Sequence, residues 1–261
     1  MSNMVAVITG GSSGIGKATA EYFAEQEYEV YELSRSGKGG KDVIHITADV
    51  TDEQSLVNAF NEICSRSGRI DVLVNNAGFG ISGAVEHTPI ETAKKQFDVN
   101  FFGTALVTKI ALPYLKIKGG IIINVSSVAA ALAIPFQAYY SAAKAAINAF
   151  SSALALEVKP FGVRVTALMP GDIATGFTAV REKIDGEGYG DRIERSVLQM
   201  EKDEKNGMKP KFIAEQIFRL SQIKNPRPLY TAGFKYKFFV WLSKILPSKL
   251  VAKILGSMYA K

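Results

Sequence analysis

The sequence predicts an α/β protein built on a doubly wound parallel sheet of about seven strands flanked by helices, and three observations predict it. Apolar runs of strand length alternate with longer helix-length stretches, the pattern of repeated β-α-β units. A glycine-rich turn follows the first of these runs and opens the first helix. With 261 residues and 47% hydrophobic content the chain can bury one sizeable core, so a single domain over 1–261 is expected.

Taken in order, the apolar runs place strands near Val5–Thr9, Glu29–Leu33, Val43–Thr47, Val72–Val74, Ile121–Val125 and Val163–Leu168, with a weaker seventh near Leu229–Tyr230. The intervening stretches place helices near Ile15–Glu25, Glu53–Ser65, Pro89–Ile117, Tyr140–Val158 and Phe212–Gln222. Residues 176–210 turn polar, charged and glycine-containing without a stable apolar period, which predicts a mobile loop or short lid helices bordering the substrate. Beyond Gly233 the chain continues as a C-terminal appendage over 234–261.

Cys64 is the single cysteine, so no intramolecular disulfide and no cysteine metal cluster can form, and a reducing, cytoplasmic setting is expected. The first strand starts so close to Met1 that no secretory signal is readable. The most apolar internal run, Gly119 to Pro135, is short for a bilayer span and holds Asn124, Ser126 and Ser127. His45 and His87 stand alone, without metal or triad spacing, so no metal site is expected.

Net charge is +6, and the excess lies in the tail. Lys235, Lys237, Lys244, Lys249, Lys253 and Lys261 occur there with no acidic residue, and the preceding chain is neutral. No nucleic-acid motif accompanies this charge, which directs attention to anionic membrane surfaces or substrates rather than nucleic acid.

Thr9-Gly10-Gly11-Ser12-Ser13-Gly14-Ile15-Gly16 joins the first strand to the first helix. Missing side chains let a backbone approach a pyrophosphate, and a helix N-terminus supplies N–H donors with positive dipole character. By itself the motif is equally a tight strand-to-helix turn. The second strand ends Glu32-Leu33-Ser34-Arg35, where dinucleotide folds choose their cofactor. Arg35 can pair with the extra phosphate of NADP(H) and favours it over NAD(H); Glu32 leaves the other choice open.

Tyr140 and Lys144 lie at i and i+4 on an alanine-rich helix, sharing one face. A free tyrosine titrates near a pH of about 10, and a neighbouring ammonium stabilises its phenolate. Alone, the pair describes a solvated helix face. Ser127 ends the strand Ile121–Val125, at the sheet edge where ligand crevices form, and can hold a carbonyl oxygen. Ser126 competes for that role, and Tyr139 competes with Tyr140, although its i+4 partner is Ala143.

Together the glycine turn, Asp49-Val50, Asn75-Asn76-Ala77-Gly78, Asn100, Ser127, Tyr140, Lys144 and Pro170-Gly171 resemble the short-chain dehydrogenase/reductase family, compact single-domain type, from about Val5 to Thr175. The resemblance implies a Rossmann-like fold and hydride exchange between a nicotinamide and a carbonyl or secondary alcohol. Tyr140 is then the acid/base, Lys144 tunes it and holds the ribose, Ser127 positions the oxygen, and Asn100 holds a water in the proton relay. It further implies that Asp49 and Val50 lie near the adenine, Asn76 braces the central strands, and Ala77, Gly78, Pro170 and Gly171 line the cofactor. Thr175 is implied to lie near the nicotinamide amide.

The tail departs from family members that end after a glycine-rich segment, including acyl-carrier-protein reductases, so a 3-oxoacyl thioester is the alternative substrate. Phe238, Leu242 and Ile245, then Leu250, Val251, Ile254, Leu255 and Met258, recur at helical spacing opposite lysines. Two basic amphipathic helices can lie on a membrane, roof an apolar pocket or meet a second subunit. Family members with such a tail resemble hydroxysteroid, retinoid and acyl-dihydroxyacetone-phosphate reductases, so a lipophilic steroid-, bile-acid- or lipid-like carbonyl is expected. Ala142, Ala143, Ala145, Ala146, Ala149, Ala153 and Ala155 let a second helix approach, predicting a homodimer or homotetramer. The rival class is a non-catalytic NADPH-binding sensor or membrane-associated scaffold.

Overall fold

A computed structural model describes residues 4–178 and 181–260. Lys261 and the pair at 179–180, parts of the expected tail and lid, lie outside the described residues.

The chain runs β1 (Val5–Thr9), α1 (Gly14–Glu25), β2 (Glu29–Ser34), β3 (Val43–Thr47), α2 (Glu53–Ser67), β4 (Val72–Asn75), β5 (Ile81–Ser82), α3 (Ile90–Phe97) and α4 (Gly103–Lys118). It continues through β6 (Ile121–Val125), α5 (Ala138–Glu157), β7 (Arg164–Met169), β8 (Glu182–Lys183), α6 (Arg192–Lys205), α7 (Pro210–Ser221), β9 (Leu229–Thr231), α8 (Phe234–Ser243) and α9 (Ser248–Tyr259). Seven strands form one parallel sheet in the order β3-β2-β1-β4-β6-β7-β9, as the sequence predicts.

Alternation along β1 shows how the sheet is covered on both sides. Val5 and Val7 join Leu56, Phe60, Val107, Leu115 and Leu154 from α2, α4 and α5. Ala6 and Ile8 join Phe23, Ile213 and Ile217 from α1 and α7. Strands buried on both faces need continuous apolar runs, which is why they were readable. Strand order reverses between β1 and β4, and their carboxyl ends open the crevice where such sheets bind ligands.

Two expectations are corrected. The single helix expected over Pro89–Ile117 is broken: α3 and α4 are separated by a π-helical turn, Asp98–Phe102, which carries Asn100. No proline or glycine marks residues 98–102, so only the wider backbone turn itself reveals the break. Residues 176–210 are likewise not without helical period. They contain the 14-residue helix α6, whose buried face is Ile193, Ser196, Val197, Met200 and Glu204. Their spacing is helical, but Ser196 and Glu204 disguise it as polar.

A short parallel pair, β5 with β8, joins the segment after β4 to the segment before α6. The tail packs partly on its own protein, α8 beside β9 and α9 against α6.

Candidate active site

The glycine turn leaves β1 at the reversal point and is locked to the end of β4. Asn76 Nδ2 donates to Thr9 O (3.0 Å) and Gly10 O (3.2 Å), while Thr9 Oγ1 accepts from the backbone N–H groups of Asn76 and Ala77 at 3.0 and 3.1 Å. A Cβ at position 16 would overlap Gly10 O and Asn76 Nδ2, so only glycine fits there.

Helix α1 begins after Ser13 with no side-chain cap and no acidic residue in its first turn. Ser12 and Ser13 are exposed beside it. The first-turn N–H groups of Gly14, Ile15 and Gly16 lack intrahelical partners, and no carboxylate competes for them. This donor set fits a dinucleotide pyrophosphate. Thr175 lies against Gly14 on the other side of the crevice.

At the adenine end, Arg35 is exposed beyond β2. Burial works against the ionised form of Asp49, but hydrogen bonds from Thr51 and the Arg35 charge outweigh it and hold this carboxyl below its usual range. Val50 is buried against Gly103. Glu32 is 1% exposed between Gly11 and Gly37, and Oε1 lies 2.6 Å from His45 Nδ1. Among the described residues Glu32 Oε2 is buried without a partner, and His45 pairs with Oε1.

The expected catalytic side chains converge where β6 ends. Ser126 is buried and donates to Lys144 O at 3.1 Å, a bracing contact, whereas Ser127 is half-buried and accepts from Ala129 N at 3.1 Å. Tyr140 is 9% exposed on the first turn of α5, and Lys144 is 4% exposed one turn later, Nζ 5.8 Å from the phenol ring centre. Lys144 Nζ donates to Val125 O at 2.8 Å.

Asn100 is fully buried. Its Nδ2 donates to Phe79 O, its Oδ1 accepts from Phe79 N, both at 2.9 Å, and its carbonyl accepts from Thr104 Oγ1 at 3.0 Å. Gly78 passes between Asn100 and Lys144, and a side chain there would crowd the Asn100 amide oxygen. Pro170 O accepts from Val128 N at 2.9 Å, tying the end of β7 to the segment after Ser127.

Electrostatics follow from burial. Loss of solvent lowers Lys144 to about 8. Burial raises Tyr140, while the Arg181 charge and the Ser127 hydroxyl pull it back.

Three residues of this site carry no motif in the sequence. Arg181, 9% exposed, enters from the lid: its Cζ lies 5.9 Å from the Tyr140 ring centre and 5.5 Å from that of Phe177. Glu204, at the end of α6, accepts from Phe177 N (2.6 Å), Thr178 N (2.7 Å) and Thr175 Oγ1 (3.2 Å). Burial opposes its charge, but these bonds outweigh burial and keep the carboxyl low. Tyr236, on α8, donates to Asp172 Oδ2 at 2.7 Å, and its ring fills the space a side chain at Gly171 would need. The helical spacing of 193, 197, 200 and 204 was the one available sign of Glu204.

A family profile described as short chain dehydrogenase matches residues 4–185. The chain is 43% identical over 233 residues to 3-ketodihydrosphingosine reductase of Bacteroides thetaiotaomicron, covering 87% of this chain and 86% of that one. Among solved structures, a short-chain dehydrogenase from Streptomyces avermitilis superposes with a TM-score of 0.83 at 26% identity, over 97% of this chain and 95% of the other. A 3-ketoacyl-(acyl-carrier-protein) reductase from Brucella melitensis, complexed with NADH, superposes with a TM-score of 0.75 at 27% identity, over 88% and 96%.

Proposed function

The chain belongs to the short-chain dehydrogenase/reductase family, and from that premise we propose that it is an NADP(H)-dependent oxidoreductase interconverting a ketone and a secondary alcohol on a lipophilic, long-chain substrate. The convergence of Ser127, Tyr140 and Lys144 beside an uncapped helix N-terminus at the sheet's reversal point carries this reading. The bound nicotinamide supplies or takes the hydride. Its pyrophosphate falls to Gly10, Ser12, Ser13, Gly14, Ile15 and Gly16. Its adenosine end falls to Arg35, Asp49 and Val50, and its nicotinamide end to Asn76, Ala77, Gly78, Pro170, Gly171 and Thr175.

Tyr140 Oη gives a proton to the substrate oxygen during reduction and takes it back in the reverse direction. Lys144, with its charge desolvated, favours the phenolate left behind and reaches the ribose. Ser127 holds the substrate oxygen, and Asn100, braced against the Phe79 backbone, would hold the water through which solvent protons return. The lipophilic substrate is supported by two apolar side chains near the phenol and Arg181, Phe177 and Met200, and by the long-chain ketone named for the Bacteroides relative.

The test is NADPH and NADH oxidation by the full chain against steroid, bile-acid, retinoid, sphingoid, acyl-dihydroxyacetone-phosphate and 3-oxoacyl thioester carbonyls. Turnover of thioesters alone would move the assignment to that alternative, and NADPH binding with no turnover would make the chain a sensor. NADPH is expected to be preferred through Arg35. Arg35→Glu should raise the KM for NADPH by about 10- to 100-fold, the worth of a charge-assisted pair, and leave that for NADH nearly level. Equal effects on both cofactors would remove Arg35 from phosphate recognition.

The tail supports peripheral membrane contact. Among the described residues no helix is long and apolar enough to cross a membrane. Helices α8 and α9 and the turn between them nevertheless expose Phe234, Phe238, Trp241, Ile245, Leu250, Ile254 and Met258 beside lysines with no acidic neighbour in the tail. Sedimentation with phosphatidylglycerol vesicles, weakened by salt and absent with phosphatidylcholine, is the expected result; no sedimentation with either would end this reading. Ala142, Ala145, Ala149 and Ala153 form an exposed stripe on α5 that supports association into a homodimer or homotetramer.

A further inference from the structure

Arg181 is the one buried guanidinium facing the phenol that the mechanism above does not use. It stands at the start of β8, which is pinned to the loop after β4: Glu182 N donates to Gly80 O at 3.1 Å and Ile184 N to Ser82 O at 2.8 Å. The side chain is therefore aimed by a strand pair rather than left on a free loop. One nitrogen, Nη1, reaches Ser82 Oγ at 3.1 Å and Met200 Sδ at 3.3 Å.

Nε is buried with no partner, and no carboxylate pairs with the group, among the described residues. Glu204 and Asp172 are felt only at a distance, and both are already engaged, by the lid backbone and by Tyr236. A buried guanidinium without a counter-charge is costly, and its planar fork suits a carboxylate or phosphate.

Building on the carbonyl-reductase reading, we infer that Arg181 is a specificity-determining residue that receives an anionic group, phosphate or carboxylate, carried a few bonds from the reacting carbonyl. Its distance from Tyr140 sets that spacing, and Phe177 and Met200 stand beside it, with Ser82 and Gln137 as the polar neighbours. The same charge repels an ammonium. This separates the chain from the substrate in the Bacteroides relative's name, a ketone with an amine beside it.

The experiment measures kcat/KM with NADPH for matched pairs: 1-hexadecanoyl-dihydroxyacetone phosphate against its dephosphorylated form, and 3-oxohexadecanoate against its methyl ester, with 3-ketodihydrosphingosine as the cationic arm. At least one anionic ketone should exceed its uncharged partner tenfold or more, and the better pair tells phosphate from carboxylate. Arg181→Gln should lower that anionic-to-uncharged ratio at least tenfold, with Arg181→Lys restoring part of it. Preference for the uncharged or amino ketones, or a ratio unmoved in Arg181→Gln, would overturn the inference.

If the wild type reduces none of these, the carbonyl-reductase reading fails and binding decides the rest. Octyl phosphate or octanoate raising the melting temperature of wild type but not of Arg181→Gln supports an anion seat. Equal response in both proteins, or none, removes it.

Discussion

Tyr140→Phe should reduce kcat for ketone reduction by about 10²- to 10⁴-fold, the range for loss of a positioned acid, while NADPH affinity stays within a factor of about three. The substitution deletes one oxygen and keeps the ring packed against Phe177, 5.9 Å between ring centres. Structure is thus preserved while the proton donor is lost. Burial has already raised this phenol, so at neutral pH it is protonated and armed to donate in the reductive direction. Single-turnover kinetics with a fluorescence titration of NADPH would separate the two quantities. Turnover within threefold of wild type would dismiss Tyr140 as the acid.

Lys144→Met should separate activity from stability in opposite directions. Turnover should fall about 10²-fold or more, because the phenolate loses its neighbouring charge. Stability at pH 7 should rise by an amount on the order of 1–3 kcal/mol, because a 4%-exposed ammonium no longer has to be desolvated. The folded chain holds Lys144 at about 8 against an ordinary 10.5.

Below pH 8 both states are protonated, and the folded one bears the full cost of the buried charge. Between 8 and 10.5 the unfolded chain binds more protons, so wild-type stability climbs with pH; above 10.5 the cost is gone. Melting temperatures of the two proteins should therefore differ most below pH 8 and converge towards 10.5. A destabilised Lys144→Met at pH 7 would show that the bond to Val125 O outweighs the burial of charge.

What could be read in the chain, and what could not, divides by how far apart the interacting residues lie. β1 announces itself because both faces are buried, so its five residues are uniformly apolar except for the terminal Thr9. The glycine turn is legible because its requirement is local: backbone must approach backbone at Gly10 and Gly16. Tyr140 and Lys144 needed only helical periodicity, plus Ser127 upstream.

Arg181 was invisible because its meaning comes from Ser82, 99 positions away. Glu204 does not stand out because a buried carboxylate held by backbone N–H groups looks, in sequence, like a solvated one. The break before Asn100 carries no glycine or proline, and its weak helix formers, Asp98 to Phe102, are too common inside helices to mark it. For the tail, helical spacing revealed two amphipathic faces but not that Tyr236 and Tyr259 would anchor them to Asp172 and Asp203.

The Tyr236 ring and the missing side chain at Gly171 occupy one volume. Two positions 65 residues apart, one in the loop after β7 and one in the appendage, are therefore free to vary only as a pair: a larger residue at 171 requires a smaller one at 236. The tail is consequently not an interchangeable module. A tail grafted from another family member would bring its own size requirement to the loop after β7, and recombination between Gly171 and Tyr236 would split a matched set.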